Sequence, residues 1–445
     1  MKKIIKIANG QGFWGDSIDA PVNLVKDGHI DYLTLDYLAE VTLSIMQKQK
    51  QKNSKLGYAT DFIELIKRIL PSIESNQLKV ITNAGGVNPD SCREELLKLT
   101  DNIKIGVVKG DDIINDINSL RKKGVSFDNM DTAQKFEDIS DKIYSANVYI
   151  DSFCIADALD EGAKIVLAGR VSDPGLALGP CIHEYNWSKN EYDKIASGTL
   201  AGHITECGAQ CSGGNYTNWK DVPNIANIGY PIIEMTNSGD FAITKHPETG
   251  GLINKHTISE QILYEMGDPK KYISPDVCVD FTSFHLVEKN KNYVNINNVK
   301  GYKPTDTYKV SISYFAGYKA TGQLTISGPD AYEKAKLTSE IIWNRLKSAG
   351  YEYDDILSEY LGISSCHGNI DTLPNQINEV VLRLSVKDSD KDKVNRFGKE
   401  IAPVITSGPP GITGFSGGRP KAQEIVAYWP SLIPKDLVKT TVDVL

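Results

Sequence analysis

The chain has 445 residues, a length typical of two or three globular domains with large hydrophobic cores. Hydrophobic residues make up 40% of it and charged residues 24%, which excludes the composition of a disordered chain. The net charge of −8 excludes the basic excess that nucleic-acid binding usually requires.

The N-terminal segment predicts a first β-strand and not a signal peptide, because Lys6 interrupts its short apolar run and glycines follow it. No apolar stretch approaches the roughly 20 residues that a bilayer-crossing helix needs. The seven cysteines are an odd number scattered along the chain, which is typical of reduced thiols. We therefore predict a cytoplasmic protein with neither a membrane nor a nucleic acid as partner.

Strand-like apolar runs alternate with helical patterns over roughly the first 200 residues. Such alternation indicates parallel βαβ units, whose ligands bind at the carboxyl ends of the strands. The sequence therefore predicts an α/β domain over residues 1–270, with a Rossmann-like, mostly parallel sheet that carries the site. The strands are predicted at residues 4–8, 32–36, 79–84, 103–110, 147–151 and 164–170.

From about residue 225 the strand-like runs follow one another, with turn signals such as 237-NSGD-240 between them. Segments 278–299 and 308–328 alternate in the manner of β-hairpins, and a helix is predicted over 330–350. This order predicts an α+β domain over residues 271–445. We expect it to act in oligomerisation or in closure of the site, within a homo-oligomer.

The loop 10-GQGFWGDS-17 has the GxGxxG spacing of a dinucleotide-binding turn after a strand. However, Phe13 and Trp14 are bulky where a pyrophosphate would have to lie close. Trp14 is better suited to stack on a flat ligand or to plug a pocket. A nucleotide-dependent oxidoreductase is therefore an alternative function that rests on this loop alone.

Two further glycine-rich segments lie where ligand-binding turns are expected. The backbone amides of Gly85 and Gly86 are candidate donors to an anion, since glycine allows a close approach of the backbone. The segment 407-SGPPGITGFSGGRP-420 predicts a shaped loop that reaches back to the site, where Arg419 contacts an acid group. An ordinary surface connector explains the same composition equally well.

Several polar residues follow predicted strands and should project from one sheet edge. Asp16 and Ser17 follow the first strand, Asp36 the second and Asn83 the third, while Glu40 lies one helical turn beyond Asp36. Each of the acids taken singly is better explained as a helix N-cap. Several of them at one edge favour a binding site.

The segment 203-HITECGAQC-211 combines residue types that bind metals and catalyse reactions. On a helix, His203, Cys207 and Cys211 would share one face, with Glu206 beside it. Zinc normally requires a second ligand pair, which the sequence lacks, so we predict no metal site. Two alternatives stay open. One is an acid–base site in which Glu206 or His203 moves a proton and Cys207 is a nucleophile; the other is a set of buried packing residues.

A series of motifs resembles the acyclic terpene utilisation protein family, from the first strand to 423-QEIVAYWPSLIP-434. The motifs are 12-GFWGDS-17, 31-DYLTLDYLAEVTL-43, 57-GYATDF-62, 82-TNAGGVNP-89, 168-AGRVSDPGLALGP-180, 201-AGHITECGAQCSGGNYT-217, 245-KHPETGGLI-253 and 407-SGPPGITGFSGGRP-420.

The resemblance implies bacterial degradation of citronellol-type terpenes through branched acyl-CoA intermediates, with a lyase acting on a branched 3-hydroxyacyl-CoA. It also implies a small separate subunit, because many members carry a further small domain that this chain lacks. Cys211 departs from the family pattern, which weakens a paired-thiol metal site further.

The leading hypothesis is a lyase or hydro-lyase acting on a branched or hydroxylated carboxylic acid or its acyl-CoA thioester. Such a reaction needs a base and a group that holds the enolate. The alternative is a non-catalytic subunit that binds the acid or acyl-CoA. Beyond CoA as part of the substrate, Mg²⁺ is a possible cofactor. The candidate bases are Asp16, Glu40 and Glu206, the candidate anion-binding groups are Arg170, Lys245 and the amides of 84-AGG-86, and the oxygen ligands available to Mg²⁺ are Asp36, Asp151 and Asp173.

Overall fold

The computed structural model describes residues 4–75, 77–363, 365–368, 377–415 and 417–445. The chain forms two compact units. The first comprises residues 1–313 and 428–445, and the second residues 314–427. Residue 270, where the sequence analysis places a domain boundary, lies within the first unit. The class is mixed α/β, with the helices and strands bounded as follows.

The strands are β1 (Ile4–Gln11), β2 (Tyr32–Leu35), β3 (Lys79–Thr82), β4 (Ile105–Lys109), β5 (Ile143–Val148), β6 (Ile165–Leu167), β7 (Pro231–Thr236), β8 (Phe241–Lys245), β9 (Tyr272–Ile273), β10 (Cys278–Asp280), β11 (His285–Asn290), β12 (Tyr293–Asn297), β13 (Lys300–Tyr302), β14 (Thr307–Ser327), β15 (Asp355–Leu361), β16 (Glu379–Asp388), β17 (Ile412–Phe415), β18 (Gln423–Pro434) and β19 (Thr441–Val444).

The helices are α1 (Asp19–Asp27), α2 (Glu40–Lys52), α3 (Thr60–Glu74), α4 (Pro89–Leu97), α5 (Ile117–Lys122), α6 (Phe153–Asp160), α7 (Gly175–Tyr185), α8 (Tyr192–Thr205), α9 (Lys255–Leu263), α10 (Ala331–Ser348), α11 (Lys391–Glu400) and α12 (Val404–Ser407). None of the helices in the described part of the chain combines the length and the apolar character needed to cross a membrane.

The parallel part of the main sheet has the strand order β1-β2-β3-β6-β4. These strands are nearly continuous apolar runs, because residues on both of their faces are buried. Helix α3 shows how a covering helix is specified: Phe62, Leu65, Ile66 and Ile69 repeat at helical spacing and all are buried. Helix and strand side chains belong to one core cluster.

Antiparallel strands extend this sheet on both sides, so the sheet is mixed. Strand β7 pairs with β1 and continues through β8, β12 and β11, while β19 pairs with β4 at the other end. Short turns allow the consecutive strands of these extensions to pair in antiparallel fashion. Gly239 with a φ of 90° connects β7 to β8, and Asn292 with a φ of 55° connects β11 to β12. A Rossmann-like arrangement in the stricter sense stays a prediction.

The second unit is an antiparallel sheet with helices on it. Strand β16 lies between β15 and β14, and β17 pairs with the other edge of β14. Apolar residues alternate along β16, and the buried ones, such as Leu382 and Leu384, pack in one core with Ile342 of α10 and Phe397 of α11.

Candidate functional site

Polar side chains follow the carboxyl ends of the parallel strands, and two of them meet directly. Asp36 comes immediately after β2 and Asn83 immediately after β3. The Asn83 Nδ2 donates to Asp36 Oδ1 at 2.7 Å, and the Asn83 Oδ1 accepts from the backbone N–H of Tyr37 at 2.7 Å. Both side chains are buried. The structure thus brings together these two residues from the ends of neighbouring strands.

Arg170, three residues beyond β6, is the most heavily engaged cation at this edge. Its Nη1 donates to the Leu38 carbonyl at 2.9 Å and to Asp173 Oδ1 at 2.6 Å. Its Nη2 donates to the Tyr149 hydroxyl at 3.1 Å, and the guanidinium carbon lies 4.3 Å from the Tyr149 ring centroid. The Arg170 side chain is 1% exposed, whereas that of Asp173 is 37% exposed. Asp173 is therefore the solvent-facing partner of a buried guanidinium.

Asp36 holds a proton near neutral pH. Burial raises its pKa, and the negative charge of Asp173 raises it further, to about 8. Arg170 and the hydrogen bond from Asn83 oppose this rise without cancelling it. A neutral carboxyl group consequently lies behind the exposed carboxylate of Asp173.

His203 and Glu206 form a second buried acid–base pair. The His203 Nδ1 lies 3.1 Å from Glu206 Oε1, and its Nε2 lies 3.2 Å from the Ile262 carbonyl oxygen. A carbonyl oxygen only accepts, so Nε2 carries a hydrogen. A second proton is then shared between Nδ1 and the carboxylate, either as a neutral carboxyl–imidazole pair or as an imidazolium–carboxylate pair.

Burial and their mutual interaction shift the pKa values of both partners. Burial raises the pKa of Glu206 to about 7, although His203 opposes the rise. Burial alone would lower the pKa of His203, but the Glu206 carboxylate outweighs that effect and raises it. Asp173 also raises the pKa of Glu206, so Asp173 lies within electrostatic range of both buried acids. Glu206 Oε2 is buried and has no hydrogen-bond partner among the described residues.

The helical face predicted for 203–211 does not continue past Glu206. Helix α8 ends at Thr205, and a short 3-10 helix follows over Gly208–Ser212. Gly208 adopts a φ of 59°, which breaks the α-helix and removes Cys211 from the face of His203. Burial raises the pKa of the Cys207 thiol, and the Glu206 charge raises it further, which favours the unreactive thiol form.

Asp16 organises the first loop through its two carboxylate oxygens. Oδ2 accepts from the Gly12 backbone at 3.0 Å, and Oδ1 accepts from the Ser17 backbone at 2.6 Å and from the Tyr230 hydroxyl at 2.7 Å. The Ser17 Oγ accepts from the Ala20 backbone at 3.3 Å at the start of α1. The N-cap of α1 is Ile18, so neither residue is the helix cap: Ser17 contacts the first turn, and Asp16 holds the loop and Tyr230. As a base, Asp16 would have to give up one of its hydrogen bonds.

The loop 10-GQGFWGDS-17 contacts other residues of the chain at the place where a nucleotide would have to bind. A Cβ atom added at Gly12 would lie 2.8 Å from the backbone of Cys207, so the glycine serves a contact within the chain. The Trp14 Nε1 donates to Asp61 Oδ1 at 2.9 Å. The oxidoreductase alternative gains no support from this geometry.

The remaining candidates make other contacts, lie in the second unit or fall outside the described residues. Gly85 and Gly86 form the turn after β3, where Gly86 has a φ of 52°. Lys245 Nζ donates to the Thr249 carbonyl at 2.8 Å at the end of β8, and burial lowers its pKa. Arg419 is exposed in the second unit. Glu40 begins α2, but its side chain lies outside the described residues.

No group of three or more His, Cys, Asp or Glu side chains within residues 4–75, 77–363, 365–368, 377–415 and 417–445 is arranged to hold a metal ion. Of the acids named for Mg²⁺, Asp151 accepts from the Tyr308 hydroxyl at 2.7 Å and from the Phe153 backbone at 3.2 Å. Mg²⁺ stays a prediction.

A cavity of about 400 Å³ in the first unit places the exposed carboxylate of Asp173 on its wall. Residues from 265–309 contribute much of the lining, a part of the chain that the sequence analysis did not consider for the site. The Lys309 Nζ lies 5.0 Å from the Tyr149 ring centroid and 5.4 Å from that of Tyr428. The lining residues are Met130, Tyr149, Ser172, Asp173, Pro174, Glu265, Tyr272, Ile273, Ser274, Pro275, Thr305, Thr307, Tyr308, Lys309 and Leu432.

Tyr272 connects this cavity to the buried histidine. Its ring centroid lies 5.2 Å from that of His203 and 4.7 Å from that of Phe281, on which it stacks. Ser172 and Asp173 reach the wall from the same segment as Arg170. The site therefore comprises Asp173 and Lys309 on the wall, with the Asp36 and His203–Glu206 groups behind it. The sequence around its aromatic and cationic residues shows only the alternation typical of strands, and nothing there indicates a binding site.

The sequence model of the family described as "Acyclic terpene utilisation family protein AtuA" matches residues 5–444, nearly the whole chain. Comparison with curated proteins gave no match, and neither did comparison with solved structures.

Proposed function

We propose that this chain, which belongs to the acyclic terpene utilisation family, is a catabolic enzyme that transfers protons in a lyase or hydro-lyase reaction. The substrate class is a branched or hydroxylated carboxylic acid or its acyl-CoA thioester. The observation that carries the proposal is the buried His203–Glu206 pair, which shares one proton and lies within electrostatic range of Asp173 on the cavity wall.

Both reactions need a base that changes protonation near neutral pH. In the lyase reaction a base removes the hydroxyl proton, the carbon–carbon bond breaks, and the enolate takes up a proton. In the hydro-lyase reaction a base removes the proton next to the carbonyl and the hydroxyl group leaves as water. Asp173 is the carboxylate that reaches the cavity, while Glu206 and Asp36 have pKa values of about 7 and about 8. Such values suit groups that exchange protons at physiological pH.

The enolate formed in either reaction needs positive charge beside it. Lys309 lines the cavity, and its only described partners are aromatic rings, so its charge is available to an anionic ligand. The Arg170 guanidinium adds positive potential behind the wall, and its Nε has no hydrogen-bond partner among the described residues. Apolar residues at the same cavity, Met130, Ile273 and Leu432, are 50%, 53% and 43% exposed and suit a hydrocarbon chain.

The test is turnover without a redox cofactor. The purified protein is incubated in D₂O with a branched 3-hydroxyacyl-CoA and with the free acid, and mass spectrometry follows product and deuterium uptake next to the carbonyl. We expect product or exchange with wild-type protein and at least about a hundredfold loss in Asp173→Asn and Glu206→Gln, with binding retained. Glu400→Gln is the matched control, because Glu400 is a buried carboxylate paired with Arg396 in the second unit.

Saturable binding without product or deuterium exchange would instead make the chain a binding subunit. The homo-oligomer and the small separate subunit remain part of the proposal. Mixing with a candidate small subunit should then change turnover and not only binding.

A further inference from the structure

A second cavity of the first unit lies beside the short helix after Cys207 and against α9. Its volume is about 290 Å³, and amide and hydroxyl side chains dominate its polar lining, among them Asn215, Thr257 and Gln261. Two tyrosines, Tyr216 and Tyr264, supply its aromatic surface. None of these residues takes part in the proposed reaction.

Gln261 is the feature that points to a ligand. The residue is 2% exposed and lines the cavity, yet neither its Nε2 nor its Oε1 has a hydrogen-bond partner among the described residues. The Gln261 amide lies near the Cys207 thiol and opposes part of the rise in the thiol pKa that burial causes. The distance and angle between the two groups do not, however, meet those of a hydrogen bond. A buried amide that lacks both partners is unfavourable, so a ligand that supplies a donor beside an acceptor would be bound.

The charge of the lining restricts that ligand further. No lysine, arginine or histidine is among the residues lining this cavity, whereas Glu260 lines it and accepts from the Thr217 backbone at 3.0 Å. A carboxylate without a nearby cation disfavours phosphate and carboxylate groups. The ligand group should therefore be uncharged.

We infer that this cavity binds an uncharged planar heterocycle of the adenine type, whose amino group and adjacent ring nitrogen pair with the two amide atoms of Gln261. Glutamine amides pair with adenine in this two-point manner in nucleic-acid recognition. Tyr264, which is 37% exposed, and Tyr216 provide rings against which a flat base packs. The inference is independent of the proposed function, because it concerns a different cavity and different residues.

The test compares two nucleosides that differ only at the hydrogen-bonding edge. Isothermal titration calorimetry of the full chain with adenosine should show saturable binding. Purine riboside, which lacks the amino group, should bind about tenfold more weakly, as expected when one buried partner is lost. Adenosine monophosphate should also bind more weakly than adenosine, because its phosphate approaches the carboxylate of Glu260.

Variants then assign the effect to Gln261. Gln261→Leu should reduce adenosine affinity to that of purine riboside without lowering the melting temperature, since it removes an unpaired buried amide. Gln11→Leu is the matched control, because Gln11 is 1% exposed and its Oε1 also has no partner among the described residues, but it does not line this cavity. Should Gln261→Leu fail to fold, Tyr264→Leu tests the same cavity from an exposed position, with the exposed Tyr302→Leu as its control.

Any of three results would overturn the inference: no binding of adenosine at millimolar concentration, equal binding of adenosine and purine riboside, or a preference for adenosine that Gln261→Leu retains. In each of these cases ordered water, and not a nucleobase, would form hydrogen bonds with the Gln261 amide. Binding of nicotinamide in place of adenosine would likewise reject an adenine-type ligand.

Discussion

Replacing Glu206 with glutamine should stabilise the first unit at alkaline pH. The pKa of Glu206 is raised from 4.5 to about 7, mainly by burial. Once the carboxyl group ionises, the folded state is therefore less stable relative to the unfolded state by about 3 kcal/mol. The amide of glutamine keeps the shape of the side chain, can donate to His203 Nδ1, and never ionises.

The sign of the effect follows from which state binds the proton more tightly. Because the folded pKa is the higher one, the stabilising contribution is complete below pH 4.5 and is lost as the pH rises through about 7. The pKa of His203 is also raised, so loss of its proton acts in the same direction. Wild-type protein should thus lose about 2 kcal/mol of stability between pH 5.5 and pH 8.5 relative to the variant, because part of the loss has already occurred at pH 5.5.

Urea unfolding of the two proteins at these two pH values measures the difference. Tryptophan fluorescence reports mainly on the first unit, since Trp343 is the one tryptophan of five in the second. Transitions of a chain with two compact units need not be two-state, so midpoints are compared with the same probe. Glu400→Gln should retain the pH dependence of the wild type. Parallel profiles for Glu206→Gln and wild type would refute the reasoning, because Glu206 would then not titrate near neutrality.

Four further changes test other parts of the site. Asp36→Asn should already stabilise the protein at pH 6, and by about 3 kcal/mol more at pH 9.5, because the pKa of Asp36 is raised from 3.8 to about 8 and stability is lost throughout that range; urea midpoints at both pH values decide this. Arg170→Met should cost about 3 kcal/mol in unfolding free energy, since it leaves buried polar partners of the guanidinium unpaired; an unchanged midpoint would contradict the packing described. Limiting iodoacetamide at pH 8 should label the exposed Cys366 before Cys207, as peptide mass spectrometry would show, and the reverse order would restore the nucleophile hypothesis. Lys309→Gln should weaken binding of a carboxylate or thioester ligand about tenfold in calorimetry while leaving the melting temperature within a few degrees.

The edge of the parallel strands could be located from the sequence because it depends on local patterns. Alternating strands and helices predict parallel pairing, and the carboxyl ends of parallel strands share an edge. Asp36 and Asn83 follow two such strands, and a 2.7 Å hydrogen bond joins them. Arg170 follows a third, and its role as an anion-binding group stays a prediction.

The rest of the site could not be predicted, because it depends on contacts between distant parts of the chain. Lys309 and Tyr272 belong to segments that the sequence analysis assigned to the second domain, and both line the cavity in the first unit. Their alternating patterns predict strands but not which sheet a strand joins. The role of Asp16 could not be predicted either, since its partner Tyr230 lies 214 residues further along the chain.

The charge of Asp173 couples the two buried acids of the candidate site to its cavity. Asp173 is the most exposed of these acids, and it accepts from the Arg170 guanidinium at the cavity wall. Asp36 and Glu206 are buried deeper and retain protons near neutrality, since each is destabilised as an anion by burial and by the charge of Asp173. In the proposed reaction, protonation of Asp173 would remove its charge and lower the pKa values of both buried acids. A proton accepted at the wall would thereby favour release of another from the buried acids, and Asp173 would become a base again only after it passes its own proton to the product or to solvent.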